Sequence, residues 1–158
     1  MLRDEAVARH IGGNPYTEEE SWLRFLRNVG HWHLFNFGFW IVREKSGGEF
    51  VGHVGLGDFR RDTAPYFGGD PEMGWVLARP AHGKGYATEA AQAAIDWMQL
   101  RHGPKRLVCM IDPDNAASFR VAAKCGFQQF ARTTYKKTTV VLLERTSVQP
   151  PVWNARSP

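Results

Sequence analysis

Residues 78–88 read ARPAHGKGYAT: Arg79, His82 and Lys84 are interleaved with Gly83 and Gly85, directly ahead of an alanine-rich run. A helix N-terminus leaves N–H groups unpaired and carries a partial positive charge. Helices commonly answer it with acids in the first turn, yet residues 78–88 hold none. Cations there are unfavourable unless an anion binds, so the loop reads as a phosphate cradle. Gly83 and Gly85 let the backbone approach such a group closely and adopt φ values closed to other residues. Two known cradles do not fit. A Walker loop needs G-x-x-x-x-G-K-[ST], and Gly85 is followed by Tyr86; a dinucleotide fingerprint needs G-x-G-x-x-G, and GKGYAT ends in Thr88. A plain glycine-rich strand-to-helix turn is the competing reading of the same residues.

Other side chains with chemical capacity stand close by in sequence. Glu72 heads the run EMGWVL, where strand alternation puts Gly74 and Val76 on its face. Asn115 and Ser118 stand at the start of AASFRVAAKCGF, with Asn115 as the expected N-cap. His31 and His33 in HWHLFNFGFW have no Cys, Asp or Glu at ligand spacing, so no metal is expected there. The aromatics of that stretch read instead as core and as one wall of a pocket.

The elements that must position these residues follow from period and punctuation. TEEESWLRFLRNVG opens with Thr17 and Glu20 at capping-box spacing, carries an apolar stripe of Trp22, Phe25, Leu26 and Val29, and meets a stop signal at Gly30. FWIVRE (39–44) and EFVGHVGL (49–56) form a hairpin about KSGG, and EMGWVL (72–77) is a third strand. From Ala87 apolar residues recur at 90, 91, 94, 95 and 98, a helical face closed by HGP. RLVCMI (106–111) is a buried-type strand, a short helix runs from Asn115 to Gly126, and QFARTTY with VVLLERT makes a second hairpin about KKT. The tail SVQPPVWNARSP (147–158) is Pro-rich and polar and is expected to be mobile. The order is that of one mixed-sheet α/β domain over 1–146.

The bulk numbers are compatible with this. A chain of 158 residues with 43% apolar and 23% charged residues suits one soluble domain. The net charge of +4 and pI near 9.3 suit an anionic partner without specifying one. MLRDEAVARH is not a signal peptide, and no run approaches the ~18 apolar residues of a membrane span. Cys109 and Cys125 read as reduced thiols, so a cytoplasmic location is expected.

The segments GFW, GEFVGHVGL, EMGWVL, GKGYATEA and NAASFRVAAKCGF, in this order, resemble the GNAT N-acetyltransferase superfamily over roughly residues 8 to 145. Within it they look like the branch of the ribosomal-protein-alanine N-acetyltransferases. The resemblance implies a central, mostly antiparallel mixed sheet flanked by helices, acetyl-CoA as co-substrate and transfer to a primary amine such as a peptide N-terminus or a small-molecule amine. The family's [Q/R]-x-x-G-x-[G/A] run falls on His82, Gly83, Lys84, Gly85, Tyr86 and Ala87, whose backbone amides would hold the pyrophosphate. Histidine replaces the usual first residue, which puts its side-chain contact in question.

The same resemblance implies Glu72 as the base that takes a proton from the amine. It implies N–H groups near Val76 and Leu77 as donors to the thioester oxygen. The tyrosine acid of many relatives falls on Ala122 and is missing; in the alanine branch the matching acid is a serine, here Ser118, with water as the alternative. Asn115 would contact the pantetheine arm, and Arg120 and Lys124 the adenosine 3′-phosphate. The family's first strand, roughly T-E-R-L-x-L-R, has no counterpart before HIGGNPYTEEE: either the start is truncated or the strand is absent, and an absent strand would leave the edge of FWIVRE open to a second copy of the chain. The runner-up is a module that binds acetyl-CoA without turnover. A nucleic-acid binder is disfavoured because basic clusters such as FRRD and YKKT are scattered and no recognition motif is present.

Overall fold

Asp4 opens the first helix, α1 (Glu5–Ala8), by accepting the Ala6 N–H at 3.0 Å, and the computed structural model describes the chain from Met1 to residue 146. The tail expected to be mobile, 147–158, lies outside the described residues. The second helix, α2 (Glu18–Phe35), begins with the anticipated capping box: Thr17 Oγ1 accepts the Glu20 N–H at 3.1 Å, and Glu20 Oε2 accepts the Thr17 N–H at 2.8 Å.

Two expectations for α2 change. The helix passes Gly30 and ends at Asn36, a left-handed cap with φ 56°. His31 is buried, Phe35 joins the core and Trp32 donates its indole N–H to the Phe39 carbonyl at 3.1 Å. Those contacts outweigh the ~1 kcal/mol that a mid-helix glycine costs. The apolar stripe, in contrast, faces out, with Trp22 at 58% and Phe25 at 54% exposure. α2 meets the body through the neighbouring face, which carries Arg24, His31 and Phe35.

Six strands form one sheet: β1 (Phe39–Arg43), β2 (Phe50–Gly57), β3 (Glu72–Leu77), β4 (Leu107–Ile111), β5 (Gln128–Tyr135) and β6 (Thr138–Arg145). Their order is β1-β2-β3-β4-β6-β5, and every pairing is antiparallel except β3 with β4. This is the mixed α/β architecture anticipated. Among the described residues nothing pairs with the outer edge of β1, whose Ile41 is 62% exposed. No helix among them is long and apolar enough to cross a membrane.

The remaining helices, α3 (Tyr86–His102) and α4 (Ala116–Lys124), cover one face of the sheet. Ala91, Ala94, Ile95 and Met98 of α3 meet Leu56, Met73, Leu77 and Leu107 in the core. Small alanines let the helix lie close, and each fully buried Leu, Ile or Met contributes about 1.5–3 kcal/mol. Val140 and Leu142 of β6, with Val108 and Phe67, form a second apolar cluster.

Candidate active site

The site arises where β3 and β4 part. Their register contains the single pair Glu72↔Val108, held by the Val108 N–H to the Pro71 carbonyl at 3.1 Å. Parallel neighbours normally share a continuous ladder, so the C-terminal half of β3 is left without a partner on that side. Between it and the heads of α3 and α4 lies a cleft of about 660 Å³. The ladder with β2 determines which groups point into it. Ala78 N–H bonds the Val51 carbonyl at 2.8 Å and Leu77 opposes Gly52. Antiparallel alternation therefore turns the Val76 N–H toward β2 and leaves the N–H groups of Trp75 and Leu77 facing the split. Of the two anticipated oxygen donors, Leu77 faces the cleft.

After Leu77 the chain makes a 3₁₀ turn, Arg79–Ala81, and enters α3 through Gly83 (φ 75°) and Gly85 (φ 87°, ψ −12°). Both glycines hold a left-handed backbone that other residues adopt at a cost. Gly85 is the N-cap and supplies no side-chain bond, and the N–H groups of Tyr86 and Ala87 meet no acceptor among the described residues. His82, Gly83, Gly85, Tyr86 and Ala87 line the cleft; Lys84 does not.

The cationic side chains behave differently from the expectation. Arg79 pairs with Asp4 at 2.6 Å, and Lys84 stands 4.0 Å from Glu44. His82 turns its Nε2 to the Leu77 carbonyl at 2.9 Å, and Glu89 supplies an acid to the first turn of α3. Tyr86 donates to Glu44 at 2.7 Å, a bond that, with partial desolvation, raises its phenol above the ordinary value. Any anion here is held by backbone N–H groups, with the side chains already partnered.

On the opposite wall, Asn115 Oδ1 accepts the Ser118 N–H at 3.0 Å and caps α4 as anticipated, and Asn115 lines the cleft. Ser118 also lines the cleft, and its Oγ accepts the Trp75 indole N–H at 3.1 Å. Trp75 is the site residue that sequence reasoning missed. Alternation puts it on the face opposite Glu72, which is the α4 side, and that was the available signal. With Oγ engaged as acceptor, the Ser118 O–H remains a donor. Arg120 and Lys124, both exposed, form the outer rim.

Glu72 sits elsewhere. It is 7% exposed, outside the cleft lining, and both carboxylate oxygens are held by Arg61: Nε to Oε2 at 2.6 Å and Nη2 to Oε1 at 2.7 Å. Burial works against the Arg61 charge, but the Glu72 bond and charge, with the Tyr135 hydroxyl at 3.2 Å, raise its pKa above the ordinary arginine value. The two cysteines are buried, and burial pushes both thiols up, which removes them as nucleophiles. His31 directs its ring nitrogens at the carbonyls of Arg27 (2.8 Å) and Asp58 (3.0 Å). Among the described residues no group of three His, Cys, Asp or Glu is placed to hold a metal.

Known proteins resemble this chain in sequence and in fold. The sequence pattern of the Acetyltransferase (GNAT) domain family matches residues 1–128. YkkB of Bacillus subtilis (strain 168), an uncharacterized protein, is 32% identical over 149 residues, 93% of this chain and 83% of YkkB. A GnaT-family acetyltransferase structure from Bordetella pertussis superposes with a TM-score of 0.80 at 31% identity, covering 90% of this chain and 85% of that one. A phosphinothricin acetyltransferase from Sinorhizobium meliloti, solved in complex with AcCoA, shares the fold with a TM-score of 0.67 at 16% identity, over 92% and 80% of the two chains. A cleft opened by a split sheet and headed by unpartnered helix N–H groups, a family pattern spanning most of the chain and a close structural match lead to one assignment: the protein is a member of the GNAT acetyltransferase family.

Proposed function

We propose that this acetyltransferase moves the acetyl group of acetyl-CoA to a primary amine, on a small molecule or a peptide N-terminus, by direct attack. The observation that carries the reading is the head of α3, where left-handed Gly83 and Gly85 and the unpartnered N–H groups of Tyr86 and Ala87 open into the cleft. The residues fit the cofactor: these N–H groups suit a pyrophosphate, the Asn115 amide and the free β3 edge suit an amide-bearing pantetheine arm, and Arg120 and Lys124 suit a 3′-phosphate.

In this reading the thioester oxygen meets the Leu77 N–H, which steadies the negative charge that develops on it. The amine nitrogen bonds to the acetyl carbon, the C–S bond breaks, and the amine's proton passes to Glu72 through water while the Ser118 hydroxyl gives a proton to the departing thiolate and takes one back from solvent. The Arg61 fork uses two of the roughly four acceptor positions of the Glu72 carboxylate, which leaves acceptor capacity for a further donor. The fold and its family assign acetyl transfer; the roles of individual residues rest on their positions.

Acetyl-CoA at 100 times its Kd is expected to stabilise the protein by about 2.7 kcal/mol, visible as a rise in Tm with a matching calorimetric isotherm. No shift and no heat at saturation would reject the cradle. Ser118→Ala is expected to slow single-turnover thiol release about tenfold, since a thiol of pKa near 8.5 leaves with little help. The Asn115 cap keeps its bond to the backbone N–H of residue 118 while the half-buried Trp75 indole N–H loses its acceptor, so thermal stability should drop by about 1–2 kcal/mol. Rapid-quench chemistry at the native rate removes Ser118 from the mechanism.

A further inference from the structure

The face of the sheet turned away from α3 carries a group of arginines that the transfer chemistry leaves unused. Arg24 of α2 reaches His53 of β2, Nη2 to Nε2 at 3.5 Å, and donates through Nη1 to the Tyr16 hydroxyl at 3.3 Å. Its Nε is buried and has no hydrogen-bond partner. Arg27, one turn along, lies 4.8 Å over the Phe59 ring, and Arg61 covers the same ring at 4.8 Å. Arg61 is balanced by Glu72 and Asp58 by Arg60. Among the described residues neither Arg24 nor Arg27 has a carboxylate within ion-pair distance.

The electrostatics register this excess. Arg27 is held below the ordinary arginine value first by desolvation and then by the charges of Arg24 and Arg61. His53 is pushed down to about 4, by burial first and Arg24 second, so it is neutral near pH 7 and offers no compensating charge. The group also sits beside the reaction centre. His53 pairs directly with Val76 in the β2–β3 ladder, and Val76 lines the cleft. The Tyr16 hydroxyl that faces Arg24 donates to the carbonyl of Ile11, another lining residue. Two like charges one helical turn apart, the half-buried Arg24 with a buried, unpaired Nε donor and the exposed Arg27 beside it, are costly unless an anion joins them.

We propose that the acceptor amine carries a carboxylate, which Arg24 and Arg27 bind on this face while the amine reaches the thioester at Leu77. The inference rests on the acetyl-transfer reading above and names its substrate class: an amino acid, or a peptide whose N-terminus is acidic. A polyamine would meet repulsion at the same place.

The test first measures acetyl-CoA binding by calorimetry; absence of binding removes the transfer reading itself, separately from this one. Acetylation rates are then compared for the twenty free L-amino acids against their α-amides, for Glu-Ala-Ala amide against Gln-Ala-Ala amide, and for spermidine. A hydrogen-bonded charge is expected to favour the acid of a matched pair by about tenfold or more. The free-acid pairs report an α-carboxylate and the peptide pair a side-chain carboxylate. Ratios of about threefold or less in both sets, acetylation of no acid, or faster acetylation of spermidine overturns the proposal in a protein that binds acetyl-CoA. Arg24→Gln and Arg27→Gln are each expected to cut the ratio at least threefold. Arg27 lies at the helix surface, so that variant reports even if Arg24→Gln fails to fold, and an unchanged ratio in it overturns the assignment of the two arginines.

Discussion

Gly85→Val is expected to yield a folded protein whose acetyl-CoA affinity is lower by at least about a hundredfold, because the anion loses its approach to the backbone donors. Gly85 holds φ 87° and ψ −12°, a conformation that a β-branched residue adopts at a cost of about 1–3 kcal/mol. A Cβ placed there meets no atom within 4 Å, so the substitution adds backbone strain but no clash, and a domain with the usual ~5–15 kcal/mol survives it. The open space around that Cβ is at the head of the cleft, where a pyrophosphate would approach the N–H groups of Tyr86 and Ala87. A side chain there keeps the anion from the donors, and relaxation of the strain moves the donors themselves. Gly85→Ala is expected to fall between the two proteins. Calorimetry beside thermal unfolding makes the measurement, and a folded valine variant that binds within threefold of the native protein rejects the backbone cradle.

Glu72→Gln has two consequences of different origin. The buried Arg61 fork loses its carboxylate, and breaking a buried pair from one side costs about 3–5 kcal/mol. In the proposed mechanism the amine also loses its base, which is expected to slow turnover by about 10²–10⁴-fold. Acetyl-CoA affinity is expected to stay within threefold, because Glu72 lies outside the cleft lining. The double variant Glu72→Gln with Arg61→Met separates the effects: removing the stranded cation recovers most of the stability, while turnover stays low. Recovery of turnover along with stability would make Glu72 a structural counter-ion and hand deprotonation to water.

Some of this protein was decided by neighbours in the chain. The Thr17–Glu20 box, the Asn115 cap, the glycine-headed start of α3 and the two hairpins rest on bonds and dihedrals that span a few residues. So does the site at the head of α3, because a helix start exposes its N–H groups whatever surrounds it. Even there the local signal had limits. The β5–β6 turn holds Lys136 at φ 47° and Lys137 at φ 68° without a glycine, a geometry set by the pairing of the flanking strands.

What the tertiary structure alone decided is which distant groups meet. Asp4 neutralises Arg79 across 75 positions, Trp75 engages Ser118 across 43, and Arg61 reaches from a loop to clamp Glu72. These contacts left the loop's backbone N–H groups, rather than its cations, open to the cleft and made the candidate base half of an ion pair. The same holds for α2, where the apolar stripe of Trp22, Phe25, Leu26 and Val29 faces outward and the neighbouring face reaches the sheet. Periodicity records that a helix has an apolar side, but the burial of that side depends on the surface it meets, and a one-dimensional pattern carries no information about that surface.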